Sequence, residues 1–232
     1  MIYVISDLHG YPLEEVTELF KKAGFSASDH CFVLGDVIDR GSDGIRLLRY
    51  FMRQPNVTLL RGNHEDMMLN SGFLFLEITD DSINSLTGRK LGAYSNWMMN
   101  GGLPTIDALR GTRDREIKYI YEYISEAPLF ETVSTDNCDF VLTHSGLGNF
   151  RKDKRLSEYT ERELLWTRPS IDTEYFDNGI ITVFGHTPTS VYGEKYAGRI
   201  LRTDTWINID AGVARGCSPV LLRLDDMKEF YV

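Results

Sequence analysis

The chain has 232 residues, of which 42% are hydrophobic and 25% charged, and its formal net charge at pH 7 is -9. This size and composition fit one large globular domain, or one domain with an inserted cap. The negative charge argues against a nucleic-acid-binding surface, which needs clustered Lys and Arg. The apolar runs are too short to cross a bilayer, so we expect no membrane association.

The amino terminus lacks the features of a secretory signal, in which a basic segment and a longer apolar segment precede a small-residue cleavage site. Three scattered cysteines, Cys31, Cys138 and Cys217, form no C-x-x-C pair. This pattern favours free, buried thiols in a reducing compartment. We therefore expect a cytoplasmic protein.

Strand and helix patterns alternate over the first sixty residues. β-branched and aromatic residues predict a strand over 2–6, and apolar residues at helical spacing predict a helix over 13–24. The pattern continues with a strand over 31–34, a helix over 45–52 and a strand over 57–60. Such alternation predicts βαβ units and a largely parallel sheet, with the site at the carboxyl ends of the strands.

The pattern changes between about residues 66 and 136, where it becomes helical and irregular. Residues 117–124 predict the last amphipathic helix of this segment. Its Met and aromatic stripe is more typical of core packing than of a binding surface. The stripe consists of Met67, Met68, Trp97, Met98 and Met99. We expect the segment to be a helical cap over the strand ends.

The last hundred residues return to a strand pattern. Strands are predicted over 140–143, 180–184, 207–210 and 219–224, with a short helix over 163–166. Asp210 also follows a strand, and we interpret it as structural or as a support behind the site. His30 precedes a strand without a motif and is read as a strand-edge histidine.

Polar residues gather at the predicted strand ends, and four of the five histidines are among them. The set is Asp7, His9, Asp36, Asn63, His64, His144 and His186. Oxygen and nitrogen ligands without a thiolate suit manganese, iron, zinc or magnesium. Their number exceeds one tetrahedral site, which predicts two ions, roughly 3.5–4 Å apart, as in centres for in-line displacement at phosphorus. One carboxylate, with Asp36 preferred, would bridge the ions.

Five short blocks carry these residues. They read Asp7-Leu8-His9-Gly10, Gly35-Asp36-Val37-Ile38-Asp39-Arg40-Gly41, Gly62-Asn63-His64-Glu65, His144-Ser145-Gly146 and Gly185-His186-Thr187. In type and order the blocks resemble those of the calcineurin-like metallophosphoesterases, in the phosphoprotein phosphatase branch. Asn96-Trp97-Met98-Met99-Asn100-Gly101-Gly102 and Trp166-Thr167-Arg168 resemble the cap helix and the second phosphate arginine of the short bacterial and phage lambda type.

The resemblance implies an α/β fold, a layered sandwich of mixed β-sheets flanked by helices. It also implies a single catalytic domain over residues 1–232, with the helical cap at about 66–136. Ser6 stands where many members of the family carry glycine. We expect little effect of this difference, because Ser6 contributes no ligand.

The resemblance also assigns roles to individual residues. It implies that Asp7 and His9 bind the first metal with bridging Asp36, and that Asn63, His144 and His186 complete the second. Arg40 and Arg168 would hold the phosphate oxygens, with Asn63 and His64 beside them. His64, oriented by Asp39, would protonate the leaving group.

The leading hypothesis is a metal-dependent phosphomonoesterase for phosphoserine, phosphothreonine and also phosphotyrosine proteins. Two cations, with manganese preferred over iron, zinc and magnesium, would lower the pKa of a shared water to near ~7, and the hydroxide would attack directly. One alternative is a symmetric dinucleoside tetraphosphate hydrolase with the same metals. Another is a catalytically silent scaffold that binds phosphoproteins. The oligomeric state stays open.

Overall fold

The computed structural model describes residues 1–72 and 88–232, without the side chain of Arg89. Part of the predicted cap, residues 73–87, therefore lies outside the described residues. The described chain contains two five-stranded sheets. Among the described residues, we find no helix with the length and apolar character needed to cross a membrane.

The first sheet joins strands from both ends of the chain. Its strands are β1 (Ile2–Ile5), β2 (His30–Val33), β3 (Val57–Leu59), β9 (Val220–Arg223) and β10 (Lys228–Tyr231). The strand order is β10-β9-β1-β2-β3, and the three consecutive strands β1, β2 and β3 are parallel. Strand β9 pairs antiparallel with both β1 and β10. The carboxyl ends of β1 to β3 therefore meet at one edge.

The second sheet has the same mixed character. Its strands are β4 (Phe130–Ser134), β5 (Asp139–Thr143), β6 (Ile180–Phe184), β7 (Leu201–Arg202) and β8 (Trp206–Asn208). The order is β4-β5-β6-β8-β7, in which β5, β6 and β8 are parallel. Strand β4 was not predicted, and it lies where the sequence pattern indicated helical or irregular structure. It is a half-exposed edge strand, so it lacks a continuous apolar run.

Helices connect and cover the strands. They are α1 (Leu13–Ala23), α2 (Gly44–Phe51), α3 (Asn63–Asn70), α4 (Gly88–Met99), α5 (Leu103–Arg110), α6 (Asp114–Glu126) and α7 (Glu161–Leu165). Helix α7 begins earlier than predicted because Thr160 caps it. The Thr160 hydroxyl accepts the Glu163 N–H at 3.3 Å, and the Glu163 carboxylate accepts the Thr160 N–H at 2.9 Å.

The two sheets pack face to face, and helices cover the outer face of the first sheet. Val4 faces the other sheet and joins an apolar cluster with Leu142 and Val183. Its neighbours Tyr3 and Ile5 point to the opposite face and join a cluster that includes residues of α1, α2 and α4 to α6. The predicted α/β sandwich of mixed sheets flanked by helices is confirmed.

Two expectations about packing are only partly correct. Met67, Met68 and Trp97 are buried, but Met99 is 81% exposed, so the core interpretation is wrong for Met99. Cys31 is buried as expected, whereas Cys138 and Cys217 are only half-buried. Met99 is the last residue of α4, and its side chain is exposed. The spacing of apolar residues does not show whether another part of the chain covers them.

Gly35, between β2 and Asp36, lies where a side chain would meet rigid backbone. Its φ is +82°, and a Cβ there would lie 2.5 Å from both the Cα and the N of Gly62. We expect Gly35→Ala to lower the free energy of unfolding by about 3 kcal/mol or more, through left-handed strain plus overpacking. Urea unfolding at fixed manganese concentration measures the change.

Gly24 provides the matched control. Its φ is +74°, but nothing lies within 4 Å of a Cβ placed there. Gly24→Ala should therefore lower the free energy of unfolding by about 1 kcal/mol, from the left-handed conformation alone. Equal destabilisation by the two substitutions would show that the contact between Gly35 and Gly62 has no energetic importance.

Candidate metal centre

The predicted ligands converge at the carboxyl ends of the parallel strands of both sheets. Asp7 and His9 follow β1, Asp36 follows β2, and Asn63 and His64 follow β3 at the start of α3. The second sheet contributes one histidine after β5 and one after β6, namely His144 and His186. All seven side chains are buried. A buried set of carboxylates, imidazoles and an amide is unusual unless it binds a charged partner.

Asp7 and His9 leave two unpartnered atoms on one side of Asp36. The Nδ1 of His9 lies 3.3 Å from the Ile38 carbonyl, so Nδ1 carries the hydrogen and Nε2 presents a lone pair. This Nε2 lies 3.8 Å from Asp36 Oδ2 and 4.0 Å from Asp7 Oδ1. Asp7 Oδ1 is buried without a hydrogen-bond donor. Three electron-rich atoms around one space fit a cation.

The other oxygen of Asp7 is fully hydrogen-bonded. Oδ2 accepts the N–H of His186 at 2.9 Å and the hydroxyl of Ser6. Ser6 therefore makes a contact with Asp7 that glycine could not make. The two donors hold the carboxylate so that Oδ1 faces the space beside His9.

On the other side of Asp36, His144 lies between acceptors. Its Nδ1 lies 2.7 Å from the Leu34 carbonyl, and its Nε2 lies 2.9 Å from Asn63 Oδ1 and 3.4 Å from Asp36 Oδ1. A neutral imidazole has only one N–H, so these contacts cannot all be hydrogen bonds. A cation between Nε2 and the two oxygens removes the conflict.

His186 completes this second group. Its Nδ1 lies 2.7 Å from Asn63 Oδ1, and its buried Nε2 has no hydrogen-bond partner. Ligand atoms within 4.8 Å of one another form two groups, His9 with Asp36 and His64, and Asp36 with His144 and His186. Asp36 belongs to both groups, with Oδ2 towards the first and Oδ1 towards the second. This is the arrangement of a bridging carboxylate.

The electrostatics of the site also fit bound cations. Burial raises the pKa of Asp36 well above its ordinary value, and the nearby Asp7 and Glu65 raise it further. Burial lowers the pKa of His9 well below its ordinary value, and His64 and Arg40 lower it further. Without a cation, the buried carboxylates therefore disfavour their charged forms. A divalent ion reverses this preference of the carboxylates, because it stabilises their ionised forms. The neutral imidazoles that burial favours are also the forms that bind a metal ion.

His64 and Asp39 form a buried pair next to the ligands. The Nδ1 of His64 lies 2.6 Å from Asp39 Oδ2, while its Nε2 lies 3.2 Å from Arg40 Nη2 and 3.9 Å from Asp36 Oδ2. Nδ1 therefore donates to the carboxylate, and Nε2 points towards the site. Burial raises the pKa of Asp39 to about 7, and hydrogen bonds from Thr105 and Trp97 oppose that rise.

Trp97 and Thr105 hold Asp39, and the sequence did not identify either of them for this role. The indole N–H of Trp97 donates to Asp39 Oδ2 at 2.8 Å, and the Thr105 hydroxyl donates to Oδ1 at 2.7 Å. The backbone N–H of Asp39 also donates to the Thr105 hydroxyl oxygen, at 3.0 Å. Helices α4 and α5 therefore fix the carboxylate that orients His64.

Glu65 is a second support that sequence reasoning left without a role. Its carboxylate accepts backbone N–H groups from Asp36 at 2.7 Å, Val37 at 2.8 Å, Gly62 at 3.0 Å and Ile38 at 3.3 Å. It thus fastens the loop that carries Asp36 to the start of α3. The signal was available, because glutamate three residues after a helix N-cap is the spacing of a capping box.

The backbone at the site is strained. Positive φ angles occur at Asp7, His9, Asp36, Asp39, Arg40 and His186. Residues with a Cβ seldom adopt this left-handed conformation, and surrounding contacts must maintain it. Because such outliers cluster at active sites, their coincidence with the predicted site residues is an independent sign of function.

Two predicted phosphate ligands line the mouth of the site. A cavity of about 360 Å³ is lined by Arg40 and Arg168 together with ligand residues such as Asp36 and His186. Arg168 Nη1 donates to the His186 carbonyl at 3.1 Å. Asp210 also lines the cavity, but it is buried and accepts the Gly212 N–H at 3.0 Å, which fits its expected supporting role.

Comparison with known proteins gives independent information on the chain. The family model described as calcineurin-like phosphoesterase matches residues 1–197. The serine/threonine-protein phosphatase 4 catalytic subunit of Saccharomyces cerevisiae is 27% identical over an alignment of 239 positions, gaps included, that covers 89% of this chain and 75% of the yeast protein. Serine/threonine-protein phosphatase 2 of Escherichia coli is 25% identical over 214 residues, which cover 91% of this chain and 87% of the bacterial protein.

Similarity in structure extends over the whole chain. The crystal structure of a candidate diadenosine tetraphosphatase superposes with a TM-score of 0.65 and 16% identity, covering 100% of this chain and 92% of the other. At that identity the likeness shows the fold alone. The family match and the phosphatase relatives show more, and the chain therefore belongs to the calcineurin-like phosphoesterases, as a phosphatase of the metallophosphoesterase type.

Proposed function

We propose that the protein is a metal-dependent phosphoprotein phosphatase that acts on phosphoserine and phosphothreonine, and also on phosphotyrosine. The observation that carries this proposal is the position of Asp36 between two buried ligand groups, at the base of a cavity that Arg40 and Arg168 line. Relatives that align with most of the chain are serine/threonine phosphatases, which favours phosphoproteins among phosphate esters. Because these relatives are hydrolases, a catalytically silent scaffold is the less favoured hypothesis.

Asp7, His9 and Asp36 would hold one cation, and Asp36, Asn63, His144 and His186 the other. When bound, two divalent cations supply a water that ionises near neutral pH and positive charge for the phosphoryl oxygens. Imidazole nitrogens with carboxylate and amide oxygens suit manganese, and iron, zinc and magnesium are compatible with the same atoms.

Arg40 and Arg168 would bind the non-bridging phosphate oxygens. Their guanidinium groups present planar pairs of N–H donors that match a phosphate. Among the described residues, no carboxylate oxygen lies within 4.0 Å of either group, and the oxygens that accept their hydrogen bonds are uncharged. The two cationic side chains are therefore available to the substrate, with Asn63 and His64 beside them in the cavity wall.

His64 would donate a proton to the departing oxygen. Its Nδ1–H is engaged by Asp39 at 2.6 Å, so a second proton can be carried only at Nε2, which faces the cavity. Arg40 Nη2 lies 3.2 Å from that atom, so a phosphate bound by Arg40 would lie next to the acid. Asp39 fixes the orientation of the ring, and Trp97 and Thr105 fix Asp39.

Removing the indole donor tests this chain of contacts. In Trp97→Phe an aromatic ring remains, but the indole N–H is lost, so Asp39 Oδ2 loses the 2.8 Å hydrogen bond from that group. We expect kcat for a phosphoserine peptide to fall roughly 10-fold, since a hydrogen bond to a charged group contributes about 1.5–3 kcal/mol. Hydrolysis of p-nitrophenyl phosphate should fall much less, because nitrophenolate leaves without protonation.

Trp206→Phe is the matched control for this prediction. Trp206 is also fully buried, and its indole N–H donates to the Thr173 carbonyl at 2.8 Å, away from Asp39. It should reduce the hydrolysis of the two substrates equally, if at all. An equal loss on both substrates in Trp97→Phe would assign Trp97 to packing alone.

A second candidate function is hydrolysis of symmetric dinucleoside tetraphosphates. Trp166 favours it, because this ring is 38% exposed, lines the cavity and lies 6.0 Å from the His186 ring. An exposed aromatic ring beside a phosphate site could stack against a nucleobase. The metal ligands would be the same for both substrates.

Comparison of kcat/KM for a phosphoserine peptide and for diadenosine tetraphosphate, with manganese-loaded protein, separates the two functions. We expect the peptide to be preferred. A large preference for the nucleotide, together with a loss of that preference in Trp166→Ala, would overturn the proposed function in favour of the second candidate.

A further inference from the structure

A third arginine lines the same cavity as Arg40 and Arg168. Arg215 ends the single helical turn Val213–Arg215, which lies between Gly212 and Gly216, both with positive φ. Its side chain is exposed. Neither the metal ligands nor the two phosphate arginines require it.

The charge of Arg215 is not neutralised by the protein. Within the described residues its guanidinium makes one hydrogen bond, from Nη1 to the hydroxyl oxygen of Ser190 at 3.0 Å, and no carboxylate oxygen lies within 4.0 Å. By contrast, Arg49 and Arg223 each have a carboxylate partner within 2.6 Å. Asp210 lines the same cavity but is buried and accepts the N–H of Gly212, so it does not pair with Arg215.

We propose that Arg215 is a specificity residue that binds a second anionic group of the substrate, next to the phosphate held by Arg40 and Arg168. This proposal rests on the proposed function, and it names phosphopeptides with an acidic side chain close to the phosphorylated residue as the preferred substrates. A monoester phosphate would already be matched by the two cations of the proposed centre and by the guanidinium groups of Arg40 and Arg168. A third, unpaired guanidinium at the cavity mouth has no partner in such a phosphate.

The charge of the whole protein makes a local cation necessary for this selectivity. At a net charge of -9 the chain repels acidic peptides at long range. Attraction must therefore come from groups within the cavity. The cavity volume of about 360 Å³ lies in the range of small-molecule sites, which leaves room for a substrate group besides the phosphoryl group.

Paired peptides test the proposal. Two phosphoserine peptides of equal length would be compared. One carries Asp and Glu next to the phosphoserine, and the other carries Asn and Gln at the same positions. With manganese-loaded wild-type protein we expect kcat/KM to be roughly 5-fold higher for the acidic peptide, through KM, as for one partly exposed ion pair. Arg215→Gln should remove the preference, and Arg215→Lys should retain part of it.

Arg53→Gln is the control variant. Arg53 is also exposed, but it does not line the cavity, so the preference for the acidic peptide should survive. In wild type the preference should shrink as salt is added, because an exposed ion pair is screened.

Four results would each overturn one of the two proposals. Equal kcat/KM for the two peptides in wild type, or a preference that persists in Arg215→Gln, would remove Arg215 from peptide selection and leave the phosphatase function intact. If Arg215→Gln lowered kcat/KM for diadenosine tetraphosphate but not for the acidic peptide, the acidic peptide would likewise be refuted as the ligand of Arg215. Hydrolysis of p-nitrophenyl phosphate without turnover of either peptide would instead overturn the proposed function.

Discussion

Asp36→Asn is expected to lose both cations and all measurable hydrolysis. The reason is geometric, because Oδ2 of Asp36 lies 3.8 Å from His9 Nε2 and Oδ1 lies 3.4 Å from His144 Nε2. Replacing one carboxylate oxygen by an amide NH2 group removes a ligand atom from one group and the whole negative charge of the carboxylate that both groups share. Metal analysis of protein purified without chelator, together with turnover of p-nitrophenyl phosphate, measures the result.

Asp204→Asn, at an exposed position, serves as the control and should keep metal and activity. Asp36 Oδ1 also accepts the backbone N–H of His64 at 2.9 Å, so circular dichroism must show that Asp36→Asn is folded. A folded Asp36→Asn protein that retains two equivalents of metal would rule out Asp36 as the bridge.

His64→Asn should have the second largest effect, with a different pattern. We expect two metals to be retained, while kcat for a phosphoserine peptide falls about 10²- to 10⁴-fold, the range for loss of a general acid. The alkoxide of serine is a poor leaving group, so it needs the proton that His64 would supply. p-Nitrophenyl phosphate should be hydrolysed with a much smaller loss.

The metal content of His64→Asn is decisive, because Nε2 of His64 lies close enough to Asp36 and His9 to join a ligand group. Loss of a cation would identify His64 as a ligand and not as the acid. His30→Asn, at the half-buried strand-edge histidine that hydrogen-bonds Thr58 at 2.8 Å, is the control and should change neither metal content nor turnover.

The candidate site residues could be selected from the sequence because each is encoded locally. Asp7, Asp36 and His186 each follow a short apolar run that forms a strand, and parallel strands bring their carboxyl ends to one edge. The identity of the residues at those ends therefore fixes the chemistry of the site. Which atoms lack donors, such as Asp7 Oδ1 and His186 Nε2, could be learned only from the structure.

Contacts across long sequence separations could not be predicted. Thr105 binds Asp39 across 66 residues, and Trp97 does so across 58. Apolar spacing in α4 identified Trp97 as a core residue, which it is, but not the direction of its N–H. The position of Arg215 on the cavity wall likewise depends on a turn between two glycines after β8, which has no sequence periodicity.

Three of the four edge strands in the described chain, β4, β7 and β10, were not predicted, whereas the edge strand β3 was. Strand β4 has only half-buried and exposed residues, β7 has only two residues, and β10 has a single buried residue, so none of them presents an apolar run. The central strands β5 and β6 are mostly buried and were predicted closely. Edge strands form because the sheet supplies hydrogen bonds, and that contribution comes from other parts of the chain.

A crystal structure of the protein grown with excess manganese tests the central claim most directly. We predict two manganese ions in anomalous difference density, one beside Asp7 and His9, the other beside Asn63, His144 and His186, with one oxygen or both of Asp36 contacting the pair. Density for a single ion, or two ions without a contact from Asp36 to each, would contradict the account.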